Sequence, residues 1–307
     1  MNTSILVNDY QIKPNSTRRD LALAFRQSLK DSYGLAVAKL GLSEQAMLSY
    51  PFLLDRCVSE RQVTALTIQT RRHAAAQIGV FPNDINSILK FSKLHANAAS
   101  SLDFVGVFSG RLEADLFNFL DYQGKTLSIL DFEPNRSIPD DIASCYLPEF
   151  EGKRVLIVSS IAELLCRRAN ADTFTATWAK TGKPWFNPAQ VSCLQFPYTY
   201  DKDTQHRFGS STNLLEWIIE RIDPQTFDVA LIAGASLGVP IAAAIKDLNR
   251  SAIALGGALQ VLFGVGGKRW REDPIWVQNY FTEAWIDIPR DQIPDVPQGF
   301  VDNGAYW

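Results

Sequence analysis

At 307 residues and a formal net charge of −3, the chain can bury a sizeable core and carries no excess of either charge. Its Lys and Arg are dispersed, which argues against a nucleic-acid partner, since polyanions are held by clustered positive charge. Four separated cysteines (Cys57, Cys145, Cys166, Cys193) and three scattered histidines lack metal-ligand spacing, so free thiols in a reducing, cytoplasmic setting are expected.

In chain order, residues 1–15 show no period and read as a loose lead-in, and Met1–Pro14 lacks a signal-peptide pattern. Leu21, Phe25 and Leu29 recur at four-residue spacing, which predicts a helix over Asp20–Lys30 with Gly34 as its stop. Leu35–Gly41 reads as a short strand. Ser59-x-x-Gln62 is a capping-box pattern opening a second helix, and Pro82-Asn83-Asp84 opens a third that buries Ile85, Ile88, Leu89 and Leu94.

From residue 102, short continuous apolar runs follow one another: Phe104–Phe108, Thr126–Leu130, Val155–Val158, Cys193–Phe196, Val229–Ala233 and Ser251–Leu255. Such runs suit strands covered on both faces. Helical stretches at Ala162–Asn170, Asn213–Ile222 and Pro240–Asn249 alternate with them. The alternation predicts one α/β domain over 1–307, an open, doubly wound, mostly parallel sheet with helices on both faces. Proline-bearing loops at Glu133–Pro139 and Gly182–Pro188 interrupt the pattern without dividing it. Residues 287–307 read as a wrapping tail, anchored by Tyr306-Trp307. No stretch reaches the roughly 18 apolar residues of a membrane span.

Three segments are candidates for chemistry. In the first, a buried strand runs into Gly234-Ala-Ser-Leu-Gly238, with Pro240 read as the first helical position. Such a turn at the carboxyl end of a parallel strand is where open α/β sheets bind ligands, and free N–H groups at a helix start suit phosphate. Gly234, Ser236 and Gly238 are therefore candidate ligand contacts; the alternative is that small residues merely allow close packing. The three-glycine dinucleotide fingerprint is absent. In the second, Gly256-Gly257 lets backbone approach a ligand, Gln260 can read a base or sugar edge, and Lys268-Arg269 can neutralise a diphosphate. A solvated basic turn with Trp270 in the core is the competing reading. In the third, a strand ends at Gly41, with Ser43 and Glu44 following. Glu44 can hold a cation or act as a base, but helix starts attract Glu for dipole reasons alone, and spacing by itself favours that simpler role.

These segments resemble the GT-D-type glycosyltransferases and their bacterial relatives over most of the chain. Lys39-Leu-Gly-Leu-Ser-Glu44 is similar to that family's Arg-x-Gly-Asp-Gly-Glu segment, and Gly79-Val-Phe-Pro82 to an Ala-Gly-x-Phe-Pro-like turn. Glu151-Gly-Lys-Arg-Val-Leu-Ile157 resembles Lys-Gly-Lys-x-Val-Leu-Val. Leu255–Gly264, Gly267-Lys-Arg-Trp270 and the closing Tyr306-Trp307 also fit. The resemblance implies a Rossmann-like enzyme that moves a sugar from a nucleotide-sugar donor to a sugar or glycoconjugate acceptor, in polysaccharide or glycoconjugate assembly. It further implies a divalent cation (Mn or Mg) against the donor diphosphate, with Glu44 as metal ligand or base.

Two places depart from the pattern. Leu42 stands where the family has its metal-binding Asp, and Ser159-Ser160 where relatives carry His-Pro-Phe. Three readings follow for the first: a metal held differently, a metal-free site using Lys268 and Arg269, or a protein that binds nucleotide or sugar without catalysis. Glu113 repeats the Gly-x-x-Glu spacing and reads as a helix-start residue. An S-adenosylmethionine-dependent methyltransferase is the more distant alternative, since glycine turns after strands also bind adenosyl cofactors.

Overall fold

The computed structural model describes residues 12–108, 110–134, 145–296 and 299–307. Most of the expected lead-in, the stretch Asn135–Pro139 and Pro297 lie outside them. All seven expected strands are present: β1 Leu35–Lys39, β2 Phe104–Val107, β3 Lys125–Ser128, β4 Arg154–Ser159, β5 Gln190–Gln195, β6 Val229–Ala233 and β7 Ser251–Ala254. They form one sheet in the order β3-β2-β1-β7-β6-β4-β5. Every neighbouring pair is parallel. The chain is thus a Rossmann-like α/β protein.

Alternation along each strand divides the interior into two cores. Ala36 and Ala38 of β1 point into one, with Val158, Ile232 and Ala254. Leu35 and Val37 point into the other, with Ile157, Leu231 and Ile253. A strand that buries both faces has no polar positions to spare, which is why its sequence reads as an unbroken apolar run. Helices Leu42–Leu54, Ile85–Ser100, Ser211–Ile219 and Gly238–Asp247 cover the first face. Arg18–Asp31, Ala162–Arg168, Ala171–Thr177 and Gly257–Leu262 cover the second. Small residues on β1 and β7 let the helix Gly238–Asp247 lie close: a Cβ on Gly238 would touch Ala254 Cβ at 3.5 Å.

Local chemistry sets the ends of these elements. Thr17, not a residue nearer Asp20, caps the first helix, in a reciprocal box with Asp20. That helix stops at Ser32, which takes the left-handed conformation (φ 56°). Gly34 serves a different purpose from the expected stop: a Cβ there would lie 2.9 Å from Lys246 Cα. β3 ends at Ser128 rather than continuing to Leu130, because the Ser128 hydroxyl accepts the Asp131 N–H (3.1 Å) and starts a short helix. Pro240 is the third residue of its helix rather than the first, since a three-residue 3-10 turn, Ala235–Leu237, runs directly into Gly238. Among the described residues no helix is long and apolar enough to cross a membrane.

Candidate functional site

β1 leads the chain outward to β2 and β3 on one side, while the last strand, β7, lies on its other side. Doubly wound sheets open a crevice at such a reversal, outside the carboxyl ends of the strands. A cavity of about 360 Å³ lies there. Its walls come from the segments that leave the strands: Gly41 after β1, Phe108 after β2, Ser159-Ser160 at the end of β4, Phe196 after β5, Gly234 after β6 and Gly256-Gly257 after β7.

The floor is charged. Lys39, the last residue of β1, forms an ion pair with Glu133, which follows β3 and a single helical turn. Both side chains are largely removed from solvent, at 17 % and 7 % exposure. The Lys39 ε-carbon lies 3.6 Å from where a Cβ on Gly256 would stand. Gly256 has φ +57°, a conformation that L side chains rarely adopt, so the turn needs glycine. The ammonium also sits 6.0 Å from the centre of the Phe108 ring.

Glu44 lines the cavity, but its carboxylate turns back over the start of its own helix, leaving room for no side chain on Gly41. Burial raises its pKa, opposed by its own backbone N–H, by the Lys39 charge and by the Gly41 N–H. Ser43 also lines the cavity, and its hydroxyl pairs with His73 Nδ1 at 3.1 Å. Glu113 occupies the equivalent place after β2 and is consumed structurally. It is buried and accepts the N–H of Phe108 (2.8 Å), the N–H of Gly110 (3.0 Å) and the Gln45 amide (2.7 Å).

The opposite wall is aromatic, with Tyr198, Tyr200, Trp270, Trp276, Tyr306 and Trp307. The last two are pinned rather than trailing. Arg269 donates to the Tyr306 hydroxyl (2.9 Å) and lies over its ring at 5.2 Å, while the Arg269 N–H reaches Ala305 O (3.1 Å). Trp307 meets Tyr198 edge-on, with centroids 6.0 Å apart.

Of the residues expected from sequence, Gly41, Ser43, Glu44, Gly234, Gly238, Gly256, Gly257, Gln260 and Arg269 share this cavity. Three of the roles differ from expectation. Ser236 is fully buried, outside the cavity lining, with a hydroxyl that has no partner. The amides around it are already used: Ser236 N–H on Ile78 O, Leu237 N–H on Gly234 O and Gly238 N–H on Ala235 O. The Gly234–Gly238 turn therefore presents none of these N–H groups to an anion. Gln260 spends its amide nitrogen on the carbonyls of Gly266 and Tyr306, so it fastens the aromatic wall. Lys268 is exposed and outside the cavity, 4.0 Å from Glu272.

A divalent cation needs several oxygen ligands in a near-regular shell. Among the described residues no group of three or more His, Cys, Asp or Glu could provide one. Leu42, at the expected Asp position, is exposed at the cavity wall, and Glu44 faces its own helix start. The donor set does not fit the cation. Sequence reasoning missed Lys39, Glu133 and the Tyr198–Tyr200 pair. Lys39 opens the 39–44 segment, but its carboxylate partner is 94 positions away.

No protein-family model and no curated protein sequence matches the chain. Among solved structures, it is similar to a selenomethionine-substituted domain of unknown function 1792, at 14 % identity and a TM-score of 0.41. That match covers 78 % of this chain and 81 % of the other. A second structure of that domain, described as having a distinct glycosyltransferase fold, matches at 12 % identity and a TM-score of 0.39, covering 78 % and 80 %.

Proposed function

We propose that the protein transfers a sugar from a nucleotide diphosphate donor to a hydroxyl of a sugar or glycoconjugate acceptor. The observation that carries this reading is the composition of one cavity at the sheet's switch point: a charged floor, a positive-φ glycine turn and an aromatic wall. Phosphate groups suit the first two, and the flat faces of bases and sugars suit the third. The likeness of residues 39–44 and 255–270 to glycosyltransferase segments points the same way.

In the transfer, the bond between the anomeric carbon and the diphosphate oxygen breaks, and the electron pair leaves with the nucleoside diphosphate. The acceptor oxygen bonds to the anomeric carbon and loses its proton. Glu44 is the carboxylate in the cavity wall with a pKa raised by burial, which makes it the better proton acceptor. Glu44→Gln abolishes release of nucleoside diphosphate from nucleotide sugars in the presence of monosaccharide acceptors, while the circular dichroism spectrum and donor binding persist. Full activity in that variant removes Glu44 from the mechanism.

A second reading is favoured by the carboxylate of Glu44 facing its own helix start and by Leu42: a protein that binds nucleotide sugar without turnover. Calorimetric binding of a nucleotide sugar with no diphosphate released over hours selects it.

A further inference from the structure

Lys39 stands where a bound cation would be useful. It projects from the end of β1, paired with the Glu133 carboxylate and near enough to Glu44 for its charge to favour that carboxylate, with its stem against the Gly256 turn. The other basic side chain in the lining, Arg269, is engaged with Tyr306 on the aromatic wall. Lys268, the remaining candidate from sequence, lies outside the cavity. Lys39 is therefore the cation of the charged floor.

Resting on the glycosyltransferase reading, we infer that the cavity takes its nucleoside diphosphate without a metal ion. The Lys39 ammonium supplies the counter-charge, and Glu133 is the internal anion that the diphosphate displaces. An ammonium on a four-carbon stem can swing between two acceptors, as a strand-fixed backbone amide cannot. Holding it on Glu133 keeps a buried positive charge compensated until a stronger anion arrives. The exchange also gives selectivity. A neutral sugar has no means of separating the pair, whereas a diphosphate offers several acceptor oxygens to Lys39 at once.

The charges of Lys39 and Glu133 predict opposite effects for two substitutions. In Glu133→Gln the competing anion is gone, and binding of uridine, guanosine or adenosine diphosphate tightens about tenfold, the size of one charge-assisted contact. Lys39→Met alone removes the ammonium that faces the buried Glu133 carboxylate and risks the fold. The double variant Lys39→Met/Glu133→Gln removes both charges and keeps the volume; in it, binding weakens at least about tenfold relative to wild type.

The measurement is isothermal titration calorimetry of the full chain with each nucleoside diphosphate, in EDTA and again with manganese. Circular dichroism monitors the fold of each variant. The expected result is binding to wild type that EDTA leaves unchanged, tightened by Glu133→Gln and weakened in the double variant. Binding that requires manganese, or binding in EDTA that Glu133→Gln abolishes, overturns the inference while leaving the glycosyltransferase reading in place. Absence of binding by any of the three diphosphates, with or without manganese, overturns both.

Discussion

His95 provides a test of how this fold responds to acid. It lies in the helix Ile85–Ser100, fully buried beside Phe91, with ring centroids 6.2 Å apart. Neither ring nitrogen has a hydrogen-bond partner. Burial lowers its pKa from 6.5 to about 4, only partly offset by its own backbone. As pH falls, the unfolded chain protonates this imidazole near 6.5 while the folded chain resists until about 4. Protons therefore bind the unfolded state more readily throughout that window, and stability declines as pH falls across it. Below the lower value the decline stops. The separation corresponds to about 3 kcal/mol in total, or about 1.4 kcal/mol per pH unit in mid-window. Urea unfolding of wild type and His95→Leu at pH 7, 6, 5 and 4.5 measures it as the difference between the two proteins, which cancels every carboxylate they share. Leucine also removes two unsatisfied polar atoms, so the variant is at least as stable as wild type at pH 7. If the two proteins lose stability in parallel from pH 6.5 to 4.5, the imidazole is not desolvated as described.

Two further outcomes follow from packing. A Cβ at Gly257 overlaps the Tyr306 ring and lies 3.2 Å from Trp270, so Gly257→Ala costs about 1–3 kcal/mol in thermal unfolding. Combining it with Tyr306→Ala returns most of that cost, and strict additivity of the two changes refutes the contact. Glu113→Ala strands two backbone N–H groups in the interior and leaves the Gln45 amide only its bond to Leu40 O, a loss of about 3 kcal/mol or more by chemical denaturation. A cost below about 1 kcal/mol would mean that water replaces the carboxylate.

What could be read from the chain beforehand was whatever is written locally. Val229–Ala233 and Ser251–Ala254 announce buried parallel strands because each residue faces an apolar layer, and Glu113 reads as a helix start from its spacing after Gly110. Strand order is not local. Nothing near Leu35 indicates that β1 pairs with a strand beginning at Ser251, yet that pairing places Lys39 against Gly256. The amides of the Gly234–Gly238 turn are unavailable to an anion for a related reason. Whether an amide is free depends on partners such as Ile78 O, which arrive from a distant segment. Gln260 and Ser236 show the same limit, since a polar side chain beside a glycine turn can face inward to fasten the fold as readily as outward to a ligand.

The pairing of β1 with β7 also has a consequence in time. During synthesis, β1 leaves the ribosome more than two hundred residues before its partner on that side, a delay of about 10–40 s at ordinary elongation rates. Through that interval one edge of this interior strand, which carries Leu35, Val37 and their alanine neighbours, has no native mate. The nascent chain therefore presents an apolar strand edge that a chaperone or a second nascent chain can occupy. Closing the sheet and making the cavity are a single late event: before β7 docks, Gly256 is not beside Lys39 and the ligand has no site to stabilise.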